Sequence, residues 1–176
     1  MTELTPVMKS FILRWGEMGS AWGINRTVAQ IYALLYLSPE PLTADEISET
    51  LAVARSTVST GLHELQGWGI VKNVHVLGDR RDHFEAMSDV WEWGRAIIRE
   101  RKSREIDPLL AMLRESVANA DKDEAVVKEK LQDMLDSLEA VVTIYNQVEQ
   151  MPLNTLIKLA SLGENFGKVL SKVIKS

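Results

Sequence analysis

The sequence predicts a mainly α-helical protein that carries one small β-hairpin. Over most of its 176 residues, apolar side chains recur at spacings of three and four, which is the pattern of amphipathic helices. Residues 70–86 differ, because β-branched residues there precede the turn dipeptide Gly78-Asp79. A hydrophobic fraction of 45% is enough to build a folded core. We therefore expect helices to form the bulk of the protein and a single hairpin to extend from them.

Two amphipathic helices are predicted before residue 38. The second runs from about Arg26 to Leu37 and ends before Pro39 and Pro41, because proline cannot continue the helical hydrogen bonds. The first spans about Leu4 to Trp22, and its apolar face consists of Leu4, Val7, Phe11, Trp15, Met18 and Trp22. Both faces must be covered by other parts of the protein, since long helices gain stability mainly from packing.

The next two helices and the hairpin follow in the order of a winged helix-turn-helix. Thr43 is an N-cap residue, and Glu46 three positions later completes a capping box for a short helix that ends near Ala52. A further helix covers Arg55 to Gln66, and two glycines that favour helix termination follow it. Its predicted buried stripe consists of Ala54, Val58, Leu62 and Leu65. The hairpin strands contain Ile70, Val71, Val74 and Val76 before the turn and His83, Phe84, Glu85 and Ala86 after it.

The remainder of the chain is predicted to be helical. Helices are expected from Asp89, from Pro108 to about Val117 and, after a polar joint at residues 119–123, along a segment with a heptad pattern. A last apolar helical region starts at Pro152 and extends towards Val173. We divide the chain into an N-terminal amphipathic helix for dimerisation or packing (residues 1–25), a winged helix-turn-helix (residues 26–88) and a helical dimerisation or effector region (residues 89–176).

The helix from Arg55 to Gln66 has the composition of a helix that enters the major groove of DNA. A groove about 12 Å wide admits one helix, and reading base edges requires short polar side chains near its start. Such side chains project opposite the apolar stripe, and Arg55 at the helix start suits a phosphate. The alternative is a face that is only solvated, because exposed serine and threonine are common. The candidate DNA-contacting residues of this region are Thr43, Arg55, Ser56, Thr57, Ser59, Thr60 and His63.

The hairpin tip carries two adjacent arginines. Arg80 and Arg81 stand in the run Gly78-Asp79-Arg80-Arg81-Asp82, where they can enter a minor groove or bind phosphates. Asp79 or Asp82 can orient one guanidinium through a bidentate pair. The alternative interpretation is a solvated charged turn. The order of capped helix, polar-faced helix, strand and basic turn is more specific than any of these parts alone.

These segments resemble the MarR superfamily of winged helix-turn-helix regulators. The resemblance covers roughly residues 27–93, and the forms Glu-Leu-x-x-Trp-Gly and Gly-Asp-Arg-Arg are more similar to its GbsR branch. It rests on the runs Ser56-Thr57-Val58-Ser59, Glu64-Leu65, Trp68-Gly69-Ile70-Val71 and Gly78-Asp79-Arg80-Arg81-Asp82-His83-Phe84.

The resemblance implies a homodimer that binds double-stranded DNA at a near-palindromic site. The recognition helices would enter successive major grooves, the wings would touch the flanking minor grooves, and a small effector would relieve repression. The recognition role falls on Ser56, Thr57, Ser59 and Thr60, and the wing role on Arg80 and Arg81. Many relatives carry a basic residue where Thr60 stands here, so the sequence departs from the family at that position.

Charge and helix patterning complete the prediction. Residues 26–85 contain five basic and eight acidic residues, so we expect only a modest salt dependence of DNA binding, supplied by the wing and by a basic run at residues 95–104.

A two-fold dimer must hold its recognition helices about 34 Å apart, and the flanking helices are the candidates for the dimer interface. Packing of those helices within one subunit is the alternative. The expected dimerisation residues are Phe11, Trp15, Leu131, Met134, Leu138, Val141 and Tyr145.

Other classes of function are less compatible with the sequence. Three histidines without metal-ligand spacing and the lack of a glycine-rich phosphate loop predict no enzymatic activity, no metal and no cofactor. The absence of cysteine and of a long apolar segment predicts a cytoplasmic protein with no membrane span. A winged helix used as a protein-interaction module, without sequence-specific DNA binding, remains the alternative function. Five tryptophans at residues 15, 22, 68, 91 and 93 suit either a core or a cage for a quaternary ammonium effector.

Overall fold

The computed structural model describes residues 4–121 and 125–162. The chain forms two compact units, Met1–Glu100 and Arg101–Ser176, which are called the N-terminal and C-terminal units below. The described residues are mainly helical and include one small antiparallel sheet. This architecture confirms the predicted fold class, a mainly helical winged helix-turn-helix with helical extensions.

The N-terminal unit contains the winged helix. Its helices are α1 (Pro6–Ala21), α2 (Arg26–Leu37), α3 (Ala44–Leu51), α4 (Arg55–Gly67) and α5 (Val90–Arg101, whose last residue belongs to the C-terminal unit). Its strands are β1 (Leu42–Thr43), β2 (Val71–Val74) and β3 (His83–Ala86), arranged in the antiparallel order β1-β3-β2. The sequence did not predict β1, because two residues are too short to show strand alternation. Thr43 of β1 pairs with His83 of β3.

Helix α2 forms the centre of the core of this unit. Every residue from Val28 to Leu35 except Gln30 is buried, and α1, α3 and α4 all pack against the helix. Helix α4 approaches α2 closely at Gly61, where an added Cβ would lie 2.7 Å from Cδ1 of Ile31. This contact leaves the opposite face of α4 free to meet a ligand.

The predicted buried stripe of α4 is correct except for its first residue. Val58, Leu62 and Leu65 are buried, whereas Ala54 is exposed. Ala54 is the N-cap residue of α4 and has extended backbone angles, so its side chain precedes the helical face on which the other three lie. The stripe therefore begins at Val58.

The turn between α3 and α4 is set by local interactions at both ends of α3. The predicted capping box is present, with the backbone N of Glu46 3.3 Å from Oγ1 of Thr43 and the backbone N of Thr43 2.8 Å from Oε2 of Glu46. At the other end, Ala52 adopts the left-handed conformation with a φ of 54°. This residue ends α3 and lets the chain turn into α4 within three residues.

The C-terminal unit contains a helical hairpin. A π-helical turn (Lys102–Ile106) precedes α6 (Asp107–Asn119) and α7 (Ala125–Glu149), and residues 153–162 are also helical. Leu110, Leu113 and Leu135 form the buried core between α6 and α7. The part of the predicted polar joint at residues 122–124 and the apolar region beyond residue 162 lie outside the described residues. None of the described helices combines the length and the apolar character that crossing a membrane requires.

The heptad pattern of α7 divides between two environments. Leu131 and Leu138 pack against the core of the α6–α7 hairpin, so α6 provides the partner for this half of the pattern. Met134 and Val141 are 53% and 62% exposed. Helix α7 therefore carries a second apolar face that the described residues of its own unit leave open to solvent.

Candidate nucleic-acid interface

Helix α4 and the wing, the connection at residues 75–82 between β2 and β3, border a polar groove of about 510 Å³. The start of α3 contributes Thr43, Ala44 and Asp45 to the same groove. The α4 lining consists of Arg55, Ser59, Leu62, His63 and Gln66, and the wing and β3 supply Arg80, Arg81, Asp82 and Phe84. The fold thus brings residues predicted for the recognition helix and for the wing to one surface.

The polar residues of α4 point into solvent. Ser56, Thr57, Ser59, Thr60 and His63 are all exposed. Oγ1 of Thr60 donates a hydrogen bond to the carbonyl oxygen of Ser56 at 3.1 Å, which leaves its lone pairs able to accept from a base amino group. The surface is therefore polar and uncharged at its centre.

Thr43 differs from the other candidates because it is buried. Only 2% of the residue is exposed, and its hydroxyl donates to Oε2 of Glu46 at 2.7 Å. Hydrogen bonds from Thr43 hold the pKa of the Glu46 carboxyl below its usual range. In this structure Thr43 fixes the first turn of α3.

Arg55 at the start of α4 forms an ion pair with Asp45 of α3. Nε of Arg55 donates to Oδ1 of Asp45, and the two side chains are 62% and 52% exposed. The sequence prediction did not include Asp45. Ten residues separate the pair, and the contact depends on the angle between two helices, so no spacing rule reveals it.

The wing holds Arg81 in a fixed orientation. Asp79 accepts from Nε and Nη2 of Arg81, with Nε 3.0 Å from Oδ1, and also accepts from the backbone N of Arg81 at 2.9 Å. These hydrogen bonds hold the pKa of the Asp79 carboxyl well below its usual range and raise the pKa of Arg81. Asp82 instead accepts from Nδ2 of Asn73 at 2.8 Å. Of the two carboxylates considered from the sequence, Asp79 is the one that contacts an arginine.

His83 connects the wing to the sheet. Its buried ring places Nδ1 2.9 Å from the carbonyl oxygen of Arg81 and Nε2 3.5 Å from Oδ2 of Asp79. Arg80 is exposed, and it makes no ion pair with any residue in the described part of the chain. The wing therefore presents one arginine that is held by a carboxylate and one that is not.

Gln66 is a groove residue that the sequence prediction missed. It lies seven residues after Ser59, on nearly the same side of α4, and both side chains line the groove. The predicted helix already included Gln66, and its position seven residues after Ser59 was the signal that could have found it.

The basic run that was expected to add phosphate contacts is largely paired with carboxylates. Arg95 lies 3.4 Å from Glu92 and has its guanidinium carbon 5.4 Å from the centre of the Trp91 ring. Farther along the chain, Lys102 Nζ is 2.7 Å from Asp107 and Arg101 is 3.3 Å from Glu105. These partners reduce the positive charge that the run can offer to DNA.

Aromatic side chains surround a separate cavity of about 240 Å³ in the N-terminal unit. Its lining consists of Phe11, Trp15, Tyr32, Tyr36, Val90 and Trp93. The ring centre of Trp93 lies 5.2 Å from that of Trp15 and 5.7 Å from that of Tyr32. Burial raises the pKa of Tyr32, whose hydroxyl donates to the carbonyl oxygen of Met87 at 3.3 Å. Among the predicted cage residues, Trp22, Trp68 and Trp91 do not line this cavity.

Comparison with known proteins identifies the N-terminal fold. Residues 22–82, which contain α2 to α4, β2 and the whole wing, match the model of the MarR family. Residues 22–82 are a MarR-family domain. The resemblance proposed from the sequence is thereby confirmed, and the matched range includes every groove residue except Phe84.

Similar proteins extend the likeness beyond the winged helix. The HTH-type transcriptional repressor GbsR of Bacillus subtilis (strain 168) is 29% identical over 133 residues, which are 76% of this chain and 71% of GbsR. YvaV of the same organism is 22% identical over 165 residues, 86% of this chain and 88% of its own length. The crystal structure of a transcriptional regulator with 20% sequence identity superimposes with a TM-score of 0.64, covering 82% of this chain and 96% of that protein. The chain therefore resembles transcriptional regulators of the MarR/GbsR type over most of its length.

Proposed function

We propose that this MarR-family chain is a repressor that binds a near-palindromic operator as a homodimer, with α4 in the major groove and the wing on the flanking DNA. The observation that carries the proposal is the single groove lined by Arg55, Ser59 and His63 of α4 and by Arg80 and Arg81 of the wing. Uncharged polar side chains at the centre suit base edges, and the wing arginines suit phosphates.

The charges of the groove predict how strongly each arginine contributes to DNA affinity. Arg80 has no ion-pair partner among the described residues, whereas Arg55 and Arg81 share their charges with Asp45 and Asp79. Few phosphates can therefore be neutralised, and the logarithm of the affinity should fall with the logarithm of salt concentration with a slope of only about −2 to −3 per subunit. Sequence recognition must then depend on the shape and hydrogen bonding of α4.

In vitro selection from a random duplex library tests the proposal. The expected result is an inverted repeat with half-site centres about one helical turn, roughly 34 Å, apart. Titration of the selected site and of random duplex at two salt concentrations then gives the specificity ratio and both slopes. A library without enrichment after several rounds would favour the protein-interaction module instead.

The dimer interface is proposed to lie on the open face of α7. Met134, Val141, Ile144 and Val148 lie on this face, and each is at least 38% exposed. A contiguous apolar surface of this kind is typical of association sites. A second copy of the chain is the occupant that the near-palindromic operator requires, because a two-fold DNA site needs a two-fold protein.

Sedimentation of a charged variant tests the interface. Met134→Lys combined with Val141→Lys should convert a dimer into a monomer at micromolar concentration, since two charges would be buried without partners. The matched control is Thr143→Lys, because Thr143 is exposed and projects away from the open face of α7. A wild-type protein that sediments as a monomer, or a double variant that remains dimeric, would contradict this assignment.

The aromatic cavity is proposed as the effector site. Five rings around about 240 Å³ offer π faces to a small quaternary ammonium compound, and the predicted dimerisation residues Phe11 and Trp15 take part in this lining. Choline and betaine are suitable probes, and binding should change tryptophan fluorescence and weaken DNA binding. If neither signal responds at millimolar probe concentrations, the rings serve as core packing.

A further inference from the structure

The ion pair between Asp45 and Arg55 lies within the groove that we assign to DNA. Asp45 accepts from Nε of Arg55, and both side chains line the groove with Ser59 and His63. We infer that Arg55 reads a guanine base in each half-site and that Asp45 positions Arg55 for this contact. The inference rests on the proposed function, because it names the base that the proposed interface recognises.

The donors that Asp45 leaves unused carry the inference. A guanidinium has five N–H donors in one plane, one on Nε and two on each terminal nitrogen. Among the described residues, Arg55 makes no hydrogen bond or ion pair other than the contact from Nε to Asp45. Four N–H groups on Nη1 and Nη2 therefore remain. Their spacing matches O6 and N7 of guanine, which together form the acceptor pair that arginine most often reads in the major groove.

Asp45 can restrict Arg55 because Asp45 is itself held in place. It is the second residue of α3, and the capping box between Thr43 and Glu46 fixes the first turn of that helix. An arginine side chain has many rotamers, so a partner that selects one of them before binding reduces the entropy lost on contact with DNA. The capping box, Asp45 and Arg55 thus form a chain of contacts that ends at the base edge.

A phosphate suits this pair less well than a base does. Asp45 is half exposed beside the guanidinium, so a phosphate bound to Arg55 would lie close to a second negative charge. The guanine edge carries two neutral acceptors and meets no such repulsion. Arg80, which has no ion pair among the described residues, is the better phosphate ligand of the two.

The test uses the full-length protein and the duplex recovered by selection. Each G·C pair in the half-sites is replaced in turn by A·T, and each guanine in turn by 7-deazaguanine, which lacks the N7 acceptor. At one position in each half-site, wild-type protein should lose about tenfold to a hundredfold in affinity on base replacement. Arg55→Lys should lose most of this discrimination, since lysine keeps the charge but not the planar fork.

Two further variants separate positioning from simple charge effects. Asp45→Asn should reduce discrimination at the same base while binding to random duplex becomes a few-fold tighter, because a carboxylate has been removed. Arg26→Lys is the control, since Arg26 is exposed and does not line the groove. Asp45 and Arg55 are exposed, so Asp45→Asn and Arg55→Lys should unfold at the same temperature as wild type. An unchanged Tm excludes loss of fold as the cause of altered DNA binding.

Distinct outcomes overturn the inference and the proposed function. If Arg55→Lys keeps the wild-type discrimination at every base, and Arg55→Ala weakens all sequences equally while lowering the salt slope by about one, Arg55 is a phosphate contact. If Asp45→Asn tightens specific and random binding by the same factor, Asp45 only repels DNA. If wild-type protein selects no sequence, the proposed function itself fails.

Discussion

Replacing Thr43 with valine tests how far the capping box stabilises the winged helix. The change keeps the buried volume but removes the hydroxyl that accepts from the backbone N of Glu46 at 3.3 Å and donates to its carboxylate at 2.7 Å. Loss of an N-cap costs about 1 kcal/mol, and the buried environment raises the expected loss in free energy of unfolding to about 1–2 kcal/mol. For a unit of this size, each kcal/mol corresponds to about 4–8 °C in Tm.

The pH dependence of this loss gives a sharper test. Hydrogen bonds from Thr43 lower the folded-state pKa of Glu46 below its ordinary value of about 4.3, so Glu46 binds protons more weakly in the folded protein than in the unfolded chain. Its stabilising contribution is therefore present above about pH 4.3 and disappears as the pH falls through the lowered folded pKa. Valine keeps the backbone hydrogen bond to Glu46 and removes only the one from the hydroxyl, so the difference in Tm between wild type and Thr43→Val should shrink in part between pH 7 and pH 3.5.

Thr5→Val provides the matched control for this experiment. Thr5 caps α1 through a 3.3 Å hydrogen bond from the backbone N of Met8, and the first turn of α1 contains no acidic residue. Thr5→Val should lower the Tm less than Thr43→Val does, because Thr5 is exposed. This decrease in Tm should be the same at pH 7 and pH 3.5. Thermal unfolding followed by circular dichroism measures all three proteins. A Thr43→Val protein as stable as wild type, or a deficit that stays constant with pH, would refute the reasoning.

Three further predictions concern the wing, the turn and the C-terminal unit. Arg80→Ala with Arg81→Ala should weaken DNA binding and reduce the salt slope by up to about two, measured by titration at several salt concentrations, and unchanged binding would refute the wing assignment. Ala52→Gly should raise the free energy of unfolding by about 0.5–1 kcal/mol in a denaturant titration, because the φ of 54° costs less in glycine. Leu113→Ala, at a site 1% exposed, should lower the free energy of unfolding by about 2–5 kcal/mol, whereas the partly buried Leu109→Ala should cost less.

Features that depend on local interactions could be predicted from the sequence. The bounds of α2 and β3 agree with the predicted ranges. Pro39 prevents α2 from continuing, and the dipeptide Gly78-Asp79 forms the turn that precedes β3. The capping box was predicted for the same reason, since its two partners lie three residues apart. The overall fold class follows from the order in which such local features occur.

Features that depend on the angle between elements could not be predicted. Asp45 meets Arg55 only because α3 and α4 cross at the turn centred on Ala52, and periodicity contains no information about that crossing. The heptad pattern of α7 correctly indicated a partner helix but did not distinguish α6 of the same chain from a second copy. Ala54 was placed in the buried stripe because the pattern was extended one residue beyond the helix.

In the proposed complex with DNA, the carboxylates within the groove affect how the protein distributes itself along a long duplex. Asp45 and Asp82 lie among Arg55, Arg80 and Arg81, so a random sequence gains little attraction when it enters the groove. Residence on each random site should then be brief, and the many competing sites of a genome would hold a smaller share of the molecules. A small number of copies could consequently keep an operator occupied, because weak binding elsewhere leaves more protein free to find it.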